Sequence, residues 1–326
     1  MRPIRFFAWV FQARRRGLAW ALCTFLSLAG TPVWAETPLS LLVPSRHIVS
    51  TADAPTQKKA PQKNDERSPA KTMPKPEARR PSVEQGAEPE EVDILLSLMR
   101  PFRHEGVSVD MPQLFAVLRH DGDAGAPEGG AGPERRDLLG DVEEIRYLDQ
   151  KAWGANVALD KPGLYQFIME ARPWWDEERQ TFLRQQAKVT LPVHGVERGW
   201  NEAAGQSFEV VPLVRPFGLN VPALFSGRVL LDGKPLADAP VRMVRINADG
   251  ATPHAPWHAD MAGRSNAAGE FSFVLPLPGW WCCEAVTPGS PLKGPDGDLK
   301  PVERAALFWF FVEEAPTSRD TDARKR

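Results

Sequence analysis

WGANVALDKPGLYQFIMEA, Trp153 to Ala171, decides the fold. Trp153, Ala155, Val157 and Leu159 alternate with smaller or polar residues, Pro162-Gly163 turns the chain, and Leu164, Gln166 and Ile168 alternate again. A period of two places successive side chains on opposite faces, so the stretch predicts strand, turn, strand. Working outward, VEEIRYL (142–148) precedes it, and LFAVLRH (114–120) and VDILLSLM (92–99) lie further upstream. KVTLPVHG (188–195) follows. Strands at such spacing with turn signals between them predict a sandwich or barrel. PWWDEERQTFLRQQ (173–186) reads as the one helix of this half, because acids cluster near its start.

The C-terminal third repeats the pattern. FSGRVLLDGKPLADAPVRMVRI (225–246) reads as strand, Asp232-Gly233 hairpin turn, connection and strand. NAAGEFSFVLP (266–276), WWCCEAV (280–286) and AALFWFFVEE (305–314) add three more. The expected fold is all-β: two sandwich-like modules, the C-terminal one immunoglobulin-like or transthyretin-like, with a signal peptide and a disordered insertion.

The signal peptide is read at residues 1–35. Arg2, Arg5 and Arg14-Arg15-Arg16 form a basic start, Gly17 to Gly30 is apolar, and Val33-Trp34-Ala35 is a small-residue cleavage site. The apolar run is shorter than the roughly 20 residues of a membrane span. The expected product is periplasmic, not membrane-spanning after cleavage near Ala35. Losing those five arginines takes the formal net charge from −2 to −7, which argues against nucleic acid as a partner. Residues 36–49 supply a first strand. Residues 50–90 hold seven prolines, eight Lys/Arg and seven Asp/Glu with almost no large apolar residue, so they are expected to be disordered. The N-terminal module is drawn at 91–222, the C-terminal module at 223–314 and a polar disordered tail at 315–326. Glu209 and Arg215, near the joint, are expected to pair with each other.

Several runs resemble a known family. They are GWNEAAGQSFEVVPLVRPFGLNVPALFSGRVLLDGKPLADAPVRM (199–243), NAAGEFSFVLPLPGWW (266–281) and VERAALFWFFVEE (302–314). Upstream, LLVPSRHIV (41–49), MRPFRHEGVSVDMPQLFAV (99–117) and residues 148–183 fall in the same order. The sequence is similar to a bacterial periplasmic family described as the additional periplasmic component of nickel and cobalt energy-coupling-factor uptake transporters, of which it would be a divergent member. The resemblance implies a periplasmic accessory or ligand-binding protein, nickel or cobalt as its metal, and a membrane metal-uptake transporter as its partner. The family pattern places histidines near the mature N-terminus, before the proline that is here Pro101, and after the aromatic-acidic stretch. Here Glu36-Thr37-Pro38, Arg100 and Arg184-Gln185-Gln186-Ala187-Lys188 stand at those places.

The remaining metal candidates are His254, His258 and Asp260 in HAPWHAD. Two imidazoles and a carboxylate suit a divalent transition metal. The four-residue spacing aligns ligands on a helix, and Pro256 opposes a helix, so an exposed loop is the plainer expectation. Asp121, Asp123 and Glu128 offer oxygens to calcium but fewer than a full ligand set. Cys282 and Cys283, neighbours on a strand, are read as one buried and one half-exposed thiol, and only two cysteines after cleavage exclude a disulfide framework. Trp174-Trp175 and Trp280-Trp281 are read as core packing, with a stacking platform as the alternative. G-x-S-x-G, H-E-x-x-H and a phosphate-binding loop are all absent, so no enzyme is expected. The alternative function is a metal-free binding or adaptor module that meets an envelope protein or saccharide through aromatic residues.

Overall fold

A computed structural model describes residues 36–50, 90–121 and 132–316. The expected signal peptide at 1–35, most of the Pro- and charge-rich segment, Asp123, Glu128 and most of the C-terminal tail lie outside the described residues. Nineteen strands run along the described chain. They are β1 (Leu39–Pro44), β2 (Glu90–Arg100), β3 (Glu105–Val107), β4 (Leu114–His120), β5 (Glu134–Asp137), β6 (Glu143–Tyr147), β7 (Gln150–Leu159), β8 (Gly163–Glu170), β9 (Trp174–Asp176) and β10 (Thr181–Val193). There follow β11 (Phe208–Pro212), β12 (Leu219–Asn220), β13 (Ala223–Leu231), β14 (Lys234–Pro235), β15 (Pro240–Arg245), β16 (Asp260–Arg264), β17 (Glu270–Leu275), β18 (Gly279–Lys293) and β19 (Leu299–Glu313). The described residues hold two 3-10 turns and no α-helix, and no helix among them is long and apolar enough to cross a membrane. The protein is all-β.

The strands form three sheets. One has the order β1-β2-β7-β6 with β3 on β2, and a small one joins β11, β13 and β14 with β17 on β13. Between them lies a ten-stranded sheet, β16-β15-β18-β19-β10-β8-β4-β5, with β9 and β12 at its margins. β19 shows why it is central. Ala305, Leu307 and Trp309 belong to the core shared with the β1 sheet, whereas Ala306, Phe308, Phe310 and Val312 belong to the core shared with the β11 sheet. A strand buried on both faces reads as a continuous apolar run rather than an alternation, which is what ALFWFFV shows. Trp309 and Phe308 are both fully buried; each such side chain contributes about 1.5–3 kcal/mol.

β10 and β19 pair in parallel from Phe182↔Val302 to Val189↔Trp309, so the two halves of the chain share one sheet. β11, drawn from the sequence as the end of the N-terminal module, pairs instead with β13, and Phe208 and Val210 enter the C-terminal core. The outer edge of β1 is sealed by side chains: Gln185 Oε1 accepts from the Ser40 N–H at 2.6 Å, and Trp309 Nε1 donates to the Ser40 carbonyl at 2.9 Å. At the far edge, β5 exposes Glu134, Arg135, Arg136 and Asp137, charges that block edge-to-edge pairing.

Three expectations are corrected. Residues 173–186 form a hairpin, β9 and β10, instead of a helix. Glu209 and Arg215 do not pair: Glu209 bonds Lys188 at 2.7 Å, and Arg215 bonds Glu197 at 2.7 Å. Both cysteines are fully buried, because β18 is covered on both faces. Cys282 lies in one core and Cys283 in the other. Burial pushes both thiols well above their usual pKa, so neither is a thiolate at neutral pH.

Candidate functional site

β15 and β16 are neighbours joined by a long loop, residues 246–259, rather than a tight hairpin. Asn247 organises it. Its side-chain amide donates to the carbonyls of Ala251 at 2.9 Å and Phe102 at 3.0 Å, and its side-chain oxygen accepts from the Ala251 N–H at 2.9 Å. The Asn247 N–H also donates to the Pro101 carbonyl at 2.9 Å, which ties the loop to the β2–β3 turn. At the far end Pro256–His258 forms a 3-10 turn. Proline suits a first helical position, where its missing N–H has no partner to lose.

That turn brings two of the predicted residues together. His254 and His258 are both exposed, with ring centroids 6.3 Å apart and planes at 88°. His258 Nδ1 lies 3.2 Å from the Ala255 carbonyl, which can only accept, so Nδ1 donates, and in the neutral ring Nε2 is the nitrogen with the lone pair. Trp257, between the two histidines, is 70% exposed.

Asp260 does not join them. Its carboxylate lies 3.4 Å from Arg242, whose Nε donates to Glu284 at 2.7 Å. Glu284 is buried, and its Oε1 has no hydrogen-bond partner. Burial raises the Glu284 pKa, and the Arg242 guanidinium pulls it back. Among the described residues no three His, Cys, Asp or Glu side chains converge as a metal-binding group. Behind the loop is a cavity of about 180 Å³, lined by Phe102, Met243, Met261, His258 and Trp281 among others.

The positions where the family pattern has histidines also converge, around the first strand. The Glu36 carboxylate accepts the N–H of Phe102 at 2.7 Å and of Arg103 at 3.0 Å, and Arg100 Nε donates to the Glu36 carbonyl at 3.2 Å. Gln185 donates to the Pro38 carbonyl at 2.9 Å. Burial raises the Glu36 pKa against those two N–H bonds. These side chains thus close the site on itself through internal hydrogen bonds.

The remaining histidines and the other candidates scatter. His47 contacts Glu313 at 3.2 Å and stacks on Phe311 at 4.3 Å, and Phe311 meets Trp280 edge-on at 5.5 Å. His120 is buried beside Glu202 at 3.5 Å, and His104 and His194 occupy turns with positive φ. Asp121 pairs with Arg119. One tryptophan pair splits: Trp281 enters the core while Trp280 stays half-buried. Trp174 and Trp175 are both half-buried, and Trp175 packs on Phe182 at 4.9 Å. Sequence reasoning missed Met243 and Met261. Both sit in strands as ordinary apolar residues, and only the register places them opposite each other.

The fold and loop define an all-β, multi-sheet protein with an imidazole-bearing loop over a small cavity. Residues 76–289 match the profile of a domain of unknown function, DUF4198, and the chain belongs to that family. No curated protein sequence matches it. Among solved structures it is similar to the D0-D1 domain of intimin, at 11% identity and a TM-score of 0.18, over 68% of this chain and 90% of that one. It is also similar to dimeric latent PorU from Porphyromonas gingivalis, at 12% identity and a TM-score of 0.19, over 72% of this chain and 19% of that one.

Proposed function

We propose that this chain is a periplasmic accessory binding protein of transition-metal uptake, not an enzyme. It holds a divalent ion such as nickel or cobalt at the 246–259 loop and offers it to a membrane transporter. The observation that carries the reading is the approach of His254 and His258, 6.3 Å between centroids on an exposed turn. Imidazole is a natural ligand for both metals. The Ala255 carbonyl orients His258 as an outer-shell partner orients a ligating histidine. Because Arg242 holds Asp260 away, the protein supplies two nitrogens and leaves the other positions to water or to a partner. Such a site binds weakly enough to hand its ion on.

The test is calorimetric titration of tag-free protein with nickel and cobalt chlorides. Micromolar binding is expected in the wild type and in Asp260→Asn, and its loss in His254→Ala and in His258→Ala. No binding, or binding unchanged in both histidine variants, overturns the reading. A second reading, a metal-free adaptor, draws on the half-buried cluster of Trp280, Phe311 and His47, whose faces suit a sugar ring. It predicts oligosaccharide binding that Trp280→Ala abolishes.

A further inference from the structure

We propose that the cavity behind His258 is a softer metal site that takes a monovalent d10 ion, copper(I), through the sulfurs of Met243 and Met261 and Nε2 of His258, in competition with a divalent ion for that one nitrogen. The inference rests on the metal-handling reading for its biological setting but not for its chemistry. All three residues line the same cavity of about 180 Å³. Met243 and Met261 are direct partners in the antiparallel pairing of β15 and β16. Side chains directly opposite in such a pair leave on one face, with Cβ atoms about 4.5–5.5 Å apart. The two thioethers therefore converge by register. Met243 is fully buried, so what space its sulfur faces is the cavity or the core.

His258 completes the set from the loop. Its Nδ1–H is committed to the Ala255 carbonyl, which leaves Nε2 as the donor atom. Thioether and imidazole form a soft donor set that selects copper(I) over nickel, cobalt or zinc. Asp260 also lines the cavity, but its carboxylate is paired with Arg242 at 3.4 Å, which draws its charge away from the sulfurs. Arg245 also lines the cavity; its charge is met by Asp249 at 2.7 Å, and its other nitrogen donates to the Pro278 carbonyl. Trp281 and Phe102 contribute aromatic side chains to the lining, beside Pro253, Pro276 and Leu277. A core that needed only volume at 243 and 261 would be served by leucine, which carries no donor.

The experiment is competition for copper(I), kept reduced with ascorbate, between the purified protein and bathocuproine disulfonate. One copper(I) per chain is expected. Met243→Leu and Met261→Leu conserve volume, which cores tolerate; each is expected to weaken binding at least tenfold with the thermal midpoint unchanged. His258→Ala does the same, whereas His254→Ala leaves copper(I) binding intact. If the wild type fails to compete, or the Met243→Leu/Met261→Leu double variant binds as the wild type does, the proposal is wrong. Nickel titration of that double variant separates the two ideas. Nickel retained with copper(I) lost supports both sites. Copper(I) bound through the methionines with no nickel bound sinks the nickel reading alone.

Discussion

Lys188 and Glu209 are joined at 2.7 Å, both with side chains almost wholly out of contact with solvent. The carboxylate also accepts the N–H groups of Ala204 at 2.9 Å and Gly205 at 3.1 Å, so one buried charge anchors a loop to the sheet. Burial pushes the Lys188 pKa down, and Glu209 opposes it. Removing one partner strands the other. Lys188→Met is expected to cost about 3–5 kcal/mol in urea unfolding. Lys188→Met/Glu209→Gln should recover much of that, and additive losses would show that the pair is not coupled. Glu284 makes the opposite case. Its folded pKa is raised by burial, so its contribution to stability is present below the unfolded value, about 4.5, and is lost as pH rises through the folded one. Glu284→Gln mimics the protonated form. Its stability should match the wild type at pH 4 and exceed it increasingly as pH rises to the folded value, then level off, by about 1.4 kcal/mol for each unit separating the two pKa values. A glutamine variant less stable than the wild type at neutral pH would mean that the Arg242 pairing outweighs burial.

The elements show what could be read in the sequence and what could not. Alternation between Trp153 and Ile168 placed β7 and β8, and the Asp232-Gly233 hairpin is present with both residues at positive φ, as a primed turn requires. Residues 173–186 misled for a definable reason. Asp176 Oδ1 accepts from the N–H groups of Glu178 and Arg179 at 3.1 Å each. A helix N-cap makes the same bonds, so the local signal is shared by a helix start and an Asx turn. What decides is Gln180 at positive φ, which turns the chain back, and Trp175 meeting Phe182 across the hairpin. Neither is visible from composition. The loop carrying His254 and His258 is a similar case. Pro256 excludes a full helix between them, yet it opens a 3-10 turn, and one short turn is enough to face two rings toward each other. Met243 opposite Met261, and Glu209 with Lys188 rather than Arg215, depend on pairing between distant strands. A single sequence carries no local mark of that.

At the scale of the whole molecule, the parallel ladder of β10 with β19 makes the two sequence halves one object. A chain of two independent sandwiches would bury two separate cores and could lose one while keeping the other. Here β18 and β19 each give alternate residues to both cores, and Cys282 and Cys283 sit one in each. No surface exists along which the halves separate without exposing β19. The described residues correspondingly fall into a single compact unit. Unfolding should therefore be one cooperative transition, with calorimetric and van't Hoff enthalpies equal. Phe308→Ala sharpens the test. Its ring faces only the C-terminal core and is fully buried, and its loss should cost about 3–5 kcal/mol. In a coupled molecule that loss lowers the midpoint reported by a probe on β2, in the other core, as much as one on β13. If the β2 probe keeps its wild-type midpoint while the β13 probe falls, the shared sheet does not couple the halves, and each module is stable by itself.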